Sequence, residues 1–450
     1  MSGAIGLRCV RCDARYPLGA MHEGCPACAT DAFRSGLTPD YDYDTVRRSL
    51  DGGPLAEPGI GLWRYRRLLP ILDRAHEVSL GEGATALLPM PGLAGEVDAA
   101  EVWLKDESRN PTWSFKDRHA AVTISKAREL GAEMIMASSS GNHGAALAAY
   151  AARAGIGAIV LSYAGLSEAA STLIQAYGAT LAITTREGRW TVIREGIERF
   201  GWYPATNFTD IPTNGPYGHE GYKAIAFELH EQLGGRVPDY VFVPTAYAEG
   251  LFGIWKGFDE LRRLGLVERV PRMVACEPAG GPLAEAWKDP TRPIAKVQAK
   301  PTVARGIGGS VNSYLGVAAL WRSDGLVAQA SDEAILDAQA ELARHGLFVE
   351  PAAAASLAGL RTLRTSGLIE GGAMIVLIST SSGLKHLAPA VPRYPLPVEL
   401  ADPTLAALAE AVPAVREAIS TLSRRSRRPR NCLSDPPTGR PRAARTRPAS

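Results

Sequence analysis

The chain has 450 residues, 46% hydrophobic and 21% charged, an ordinary balance for a globular protein large enough to bury one core or two lobes. No apolar run approaches the roughly 18 residues of a membrane span, and residues 1–8 lack the charged-then-apolar order of a secretory signal, so a cytoplasmic protein with no membrane partner is expected. The net charge of +2 is uneven, because residues 423–450 hold nine arginines and one aspartate, a contribution of +8 that leaves −6 on residues 1–422; a mildly acidic body offers no nucleic-acid surface.

Four of the six cysteines fall in the first 28 residues, as Cys9-x-x-Cys12 and Cys25-x-x-Cys28. Each pair suits a knuckle that turns two thiolates toward one metal, and two knuckles close a tetrahedral site. Residues 1–35 are therefore expected to form a small β-ribbon around structural Zn2+ held by Cys9, Cys12, Cys25 and Cys28, with His22 outside the sphere. A pair of disulfides is the alternative, disfavoured in a reducing compartment. A connecting arm with short helices at 43–50 and 61–68 follows.

A strand at 101–105 leads into Asn110-Pro111-Thr112-Trp113-Ser114-Phe115-Lys116-Asp117-Arg118. A helical stretch and an apolar run at 134–137 come next, then the polar loop Ser138-Ser139-Ser140-Gly141-Asn142-His143-Gly144 and a helix at 145–154. Such a loop opens a helix N-terminus, whose free N–H groups favour an anion. Strands at 156–162, 179–184 and 203–207 alternate with helices at 167–177 and 189–200. Beyond a helix at 222–233 and a strand at 240–243, the loop Pro244-Thr245-Ala246-Tyr247-Ala248-Glu249-Gly250-Leu251 precedes a helix at 252–264. The last apolar strand, 374–378, ends at Ser379-Thr380-Ser381. This alternation predicts an α/β fold of parallel sheets covered by helices. A terminal helix is expected at 401–422. Residues 423–450, rich in Arg and Pro without apolar periodicity, are expected to be disordered.

The nine residues around Lys116 resemble the lysine motif of the threonine synthases, and Ser140-Gly141-Asn142-His143-Gly144 resembles the asparagine loop of the same superfamily, the fold type II (tryptophan synthase β-like) pyridoxal-phosphate enzymes. Leu80-Gly81-Glu82-Gly83-Ala84-Thr85-Ala86-Leu87 is similar to that family's entry motif, with Ala86 in place of the usual proline. The resemblance covers roughly residues 5 to 390, and several threonine synthases begin with a similar zinc ribbon. It implies two open parallel-sheet lobes with pyridoxal 5'-phosphate in the cleft between them: residues 36–117 and 213–400 as the larger lobe, and 118–212 as the smaller lobe carrying the asparagine loop. It also implies a homodimer acting on a small amino-acid substrate.

Residue by residue, the resemblance assigns Lys116 the Schiff base with the cofactor and later proton transfers. Asn142 would meet the ring hydroxyl, and Thr380, with Ser379 as its competitor, the ring nitrogen. Thr245, Ala246, Tyr247, Ala248 and Gly250 would hold the cofactor phosphate. Ser140, Gly141, His143 and Gly144 would bind the substrate carboxylate, and Asn207 is a candidate for the substrate-phosphate pocket; Ser138 or Ser139 could instead serve as a plain helix cap.

Two departures stand out. The phosphate loop is poor in glycine, its alanines are expected to avoid positive φ, and Glu249 sits beside the phosphate position. The stretch Tyr217-Gly218-His219-Glu220-Gly221-Tyr222-Lys223 lacks the arginine with which threonine synthases commonly grip the substrate phosphate; Lys105, Arg109, Arg305 and His219 are the available substitutes. The leading expectation is a lyase converting O-phospho-L-homoserine and water to L-threonine and phosphate. The alternatives are β-elimination or β-replacement on serine, threonine or phosphoserine, and a non-catalytic binding protein.

Overall fold

The computed structural model describes residues 2–139 and 141–426. Three short strands, β1 (Ala4–Cys9), β2 (Arg15–Tyr16) and β3 (Leu37–Tyr41), form an antiparallel sheet with β1 in the middle. Its third strand lies past residue 35, so the ribbon's sheet is completed by what the sequence reads as the connecting arm. Leu7, Cys9, Val10, Leu37 and Tyr41 are buried in the same core as the body that follows.

That body holds two further sheets. Their strands are β4 (Leu87–Pro89), β5 (Glu101–Asp106), β6 (Met134–Ser138), β7 (Gly157–Ser162), β8 (Thr180–Ile183), β9 (Tyr203–Pro204), β10 (Tyr240–Pro244), β11 (Arg272–Pro278), β12 (Leu326–Ala330) and β13 (Met374–Ser379). The larger sheet has the order β12-β11-β10-β13-β5-β4 and is parallel except for β4; the smaller, β8-β7-β6-β9, is wholly parallel. Parallel strands need crossover helices, which cover both faces and leave the strands apolar throughout. Accordingly β10 is buried along its whole length. The expected α/β architecture is present, and all four strands of the smaller sheet come from within residues 118–212.

The helix Lys116–Glu129 is anchored by charge as well as by packing. Arg118, fully buried, donates to Glu107 and Glu228 at 2.7 Å each. Lys105 Nζ lies 2.7 Å from the same Glu228 and 2.9 Å from Gln232.

All of this lies in one compact unit, Met1–Val391; the second, Pro392–Ser450, contains two described helices rather than the single one expected at 401–422. They are Leu405–Ala411 and Pro413–Ser426, broken where Val412 is extended ahead of Pro413, which lacks an N–H and disfavours a helical residue before it. Of the tail expected to be disordered, residues from 427 onward lie outside the described residues. Among the described residues no helix is long and apolar enough to cross a membrane.

Candidate active site

Lys116 is the first residue of its helix, and the turn before it is stitched to the end of β13. Phe115 donates its backbone N–H to the carbonyl of Thr380 at 2.9 Å, and Ser382 donates to that of Trp113 at 3.1 Å. Asp117 accepts from the backbone and hydroxyl of Thr112 at about 3 Å, which closes the turn; burial pushes this carboxyl up to about 7. The Lys116 ammonium lies 4.8 Å from the centre of the Phe115 ring and 5.7 Å from that of Tyr222. Burial holds its pKa below the ordinary lysine value, with only Glu249 opposing. A desolvated lysine in an aromatic pocket is readied as a neutral nucleophile.

Lys116 opens into a cavity of about 210 Å³. Of the residues expected in the site, Thr380, Gly141, Asn142, His143, Asn207 and the whole run Thr245, Ala246, Tyr247, Ala248, Glu249, Gly250 line it. Ser140 lies outside the described residues. Of the two candidates for the ring nitrogen, Thr380 lines the cavity and Ser379 does not. Gly144 is behind the wall: its amide donates to Ser139 Oγ at 2.8 Å, and a Cβ there would meet Val160 at 2.9 Å. Ser139 is thus the cap of the helix Asn142–Ala154, while Gly144 is glycine for close packing. The amide of Asn142 donates to Glu350 at 2.7 Å, and Ser381 donates its hydroxyl to the same carboxylate. Asn207 spends its amide on the 207–213 turn, bonding Thr209 and the backbone of Thr213.

The glycine-poor loop departs from expectation at Ala248, which adopts φ +64, ψ 17. The left-handed well costs a non-glycine residue roughly 1–2 kcal/mol, and space for the methyl is made at Gly316, where a Cβ would come within 2.8 Å of the Ala248 methyl. The following helix begins at Glu249, not 252, so its first free N–H groups sit at the loop itself. At Gly250 a Cβ would meet Phe115 at 2.8 Å, so glycine lets the helix start approach the lysine turn. Glu249 turns to His119, Oε1 to Nε2 3.0 Å, and His119 Nδ1 lies 3.0 Å from His143 Nε2. Burial would raise the Glu249 pKa, but the charge and hydrogen bond of His119 hold it well below the usual range. Burial, reinforced by His119 and Lys116, keeps His143 neutral far below its ordinary pKa.

Comparison with known proteins gives this arrangement a family. The model for pyridoxal-phosphate dependent enzymes matches residues 78–381. Threonine synthase from Methanocaldococcus jannaschii is 35% identical over 399 residues, covering 87% of this chain and 96% of its own. The chain belongs to the threonine synthase family of pyridoxal-phosphate-dependent enzymes. The Synechocystis threonine synthase is 37% identical across 71% of this chain and 82% of its own. Among solved structures, threonine deaminase isoform 2 from Solanum lycopersicum superposes with a TM-score of 0.60 at 19% identity, over 76% of this chain and 96% of that one. Its likeness concerns the fold, which is the fold type II architecture.

The residues present fit the family's cofactor: a desolvated lysine, a hydroxyl at the end of β13, and a helix start drawn close by Gly250. In the stretch Tyr217–Lys223, a side chain at Gly218 would have to displace His119, because a Cβ there would fall 2.0 Å from its ring. Of the four substitutes legible in the sequence, Arg305 alone lines the cavity. Lys105 is consumed by the buried ion cluster, Arg109 pairs with Asp106 at 3.1 Å, and His219 is fully buried 2.9 Å from Thr38. Sequence reasoning passed over His119, Glu350, Arg186 and Arg189. His119 alone carried a signal, standing one helical turn from Lys116 on the same face.

Away from the cavity, the Sγ atoms of Cys9, Cys12, Cys25 and Cys28 all lie within 4.8 Å of one another, with Cys9–Cys28 at 3.6 Å and Cys12–Cys25 at 3.7 Å. These thiols are unbridged. A tetrahedron with metal–sulfur bonds of about 2.3 Å has edges of about 3.8 Å, which the Cys9–Cys28 and Cys12–Cys25 separations match, so the cluster is compatible with a four-thiolate metal site.

Proposed function

We propose that the chain converts O-phospho-L-homoserine and water to L-threonine and phosphate. The observation that carries this reading is a threonine synthase relative at 35% identity across 87% of the chain, together with a lysine turn bonded directly to the Thr380 strand end. When bound, the cofactor withdraws electron density from the substrate carbons, which acidifies their protons.

The chain's own residues do the rest. Lys116, its amine readily neutral, takes and returns protons along the substrate. The start of the helix Asn142–Ala154 offers N–H groups to the α-carboxylate, beside His143. Thr380 offers a neutral hydroxyl to the ring nitrogen, and the start of the helix Glu249–Arg263 offers amides to the cofactor phosphate. Asn142 reaches the ring hydroxyl by giving up Glu350. Phosphate departs from Cγ with the bonding electrons and water adds at Cβ; Cβ and the added water each give up one proton, and Cγ and the departing phosphate each take one. The four cysteines hold a structural zinc whose closed sphere leaves no position for substrate, and free thiolate ligands suit the reducing cytoplasm.

The test is incubation of the cofactor-loaded protein with O-phospho-L-homoserine. Threonine and phosphate are expected in equal amounts, and Lys116→Ala should produce neither. Consumption of serine, threonine or phosphoserine with no turnover of O-phospho-L-homoserine would replace this reading with β-elimination or β-replacement.

A further inference from the structure

Three arginines outside the family's usual position line the cavity: Arg186, Arg189 and Arg305. Arg189, at the start of the helix Gly188–Phe200, is only 7% exposed. A guanidinium so buried is normally paired with a carboxylate. Among the described residues Arg189 forms no ion pair; its Nε donates to the carbonyl of Arg186 at 3.0 Å. Arg186 and Arg305 likewise form no ion pair among the described residues. The two carboxylates that line the cavity are spoken for, Glu249 by His119 and Glu350 by Asn142 and Ser381.

The three converge on one short loop. Arg186 and Arg189 each place Cζ 4.9 Å from the centre of the Tyr163 ring. Two residues on, a Cβ at Gly165 would lie 2.8 Å from Nη2 of Arg305. The cations therefore gather at the 163–165 turn that follows β7, and Arg186 and Arg189 also lie close enough to Tyr247, in the loop 245–250, to act on its hydroxyl. Three unneutralised guanidiniums exceed what one carboxylate requires; a phosphate dianion with three acceptor oxygens matches them.

We infer that Arg189, flanked by Arg186 and Arg305, is the subsite that grips the phosphate ester on the substrate's side chain, in place of the arginine missing from the stretch Tyr217–Lys223. The inference rests on the substrate reading above. It relocates phosphate recognition to the β8–helix turn and the 305 turn, and makes these residues the determinants of specificity for a phosphorylated over an uncharged side chain.

The test measures binding rather than turnover. The probes are 2-amino-5-phosphonopentanoate, in which a methylene replaces the bridging oxygen of the phosphate ester, and L-norvaline, which has the same α-amino acid carbon chain without the phosphonate. Each is titrated into cofactor-loaded protein through its effect on the visible spectrum. The unmodified protein should bind the phosphonate at least about tenfold more tightly than norvaline, since a single charged hydrogen-bond partner contributes roughly 1.5–3 kcal/mol. Arg189→Gln should erase most of that preference while leaving norvaline affinity in place, and Arg189→Lys should restore part of it. Arg305→Gln, at an exposed position where folding is not at stake, should reduce it severalfold.

Equal weakening of both probes, or a preference that survives in the Arg186→Gln/Arg189→Gln/Arg305→Gln triple variant, would overturn the inference. So would loss of the cofactor from Arg189→Gln protein, which would assign the arginine to the cofactor phosphate. Preferential phosphonate binding without turnover of O-phospho-L-homoserine would leave the subsite standing and refute the proposed reaction instead.

Discussion

His119 Nε2 lies 3.0 Å from Oε1 of Glu249, so the acid that lines the cavity beside Lys116 is held by an imidazole. It also places a carboxylate near Lys116, where it favours the ammonium form. Removing that charge with Glu249→Gln should lower the lysine's pKa further, because Glu249 is the charge that favours its protonated form. The pH profile of Lys116 modification in cofactor-free protein checks this; a profile displaced toward higher pH, or unmoved, would contradict it.

The left-handed Ala248 and the missing side chain at Gly316 form a matched pair. Gly316→Ala would drive two methyl groups to 2.8 Å, an overpacking that typically costs about 1–3 kcal/mol. Lower thermal stability and weaker cofactor affinity are expected. Adding Ala248→Gly should restore most of both, because it removes the opposing methyl and relaxes the positive φ. Thermal melts and cofactor titrations of the single and double variants would show whether the two losses are coupled.

The Arg118–Glu228–Lys105 cluster sets an acid limit on folding. Burial alone would raise the Glu228 pKa, but Arg118 and Lys105 depress it strongly. A depressed carboxylate contributes stability that is complete above its unfolded pKa of about 4.3 and is lost as pH falls toward the folded value. Melting temperature should therefore drop as pH falls below about 4.3, and drop less steeply in Glu228→Gln. At neutral pH the same substitution should cost about 3–5 kcal/mol, the usual penalty for leaving buried charge unpaired. Chemical denaturation measures it.

On the proposed zinc site, Cys25→Ser should abolish zinc binding and loosen the ribbon. Because Cys9, Val10 and Leu37 belong to the main core, the damage should appear as a lower melting temperature of the whole body, not as a separate transition. Elemental analysis for zinc, with calorimetry on the same sample, would decide this.

The sequence makes the lysine turn, the β13 end and the four cysteines legible because each depends on local spacing. Helix and strand periodicity likewise reveals the parallel α/β plan. What escapes is whatever depends on a third dimension. Arg189 falls at the start of the helix expected at 189–200, with Arg186 just before it, and only the folded structure places both over Tyr163. Gly144 looks like a ligand-facing glycine until Val160 is found behind it. Ala248 argues against positive φ on propensity alone; Gly316, sixty-eight positions away, supplies the missing room.

The bond from the Phe115 N–H to the Thr380 carbonyl has a consequence for how this site tolerates damage. Because main chain joins the two anchors, truncating the lysine side chain removes a tool without dismantling the bench. The space vacated in Lys116→Ala is a mould with the outline of a primary amine, still aligned with Thr380. A small soluble amine supplied from solution has a seat waiting for it.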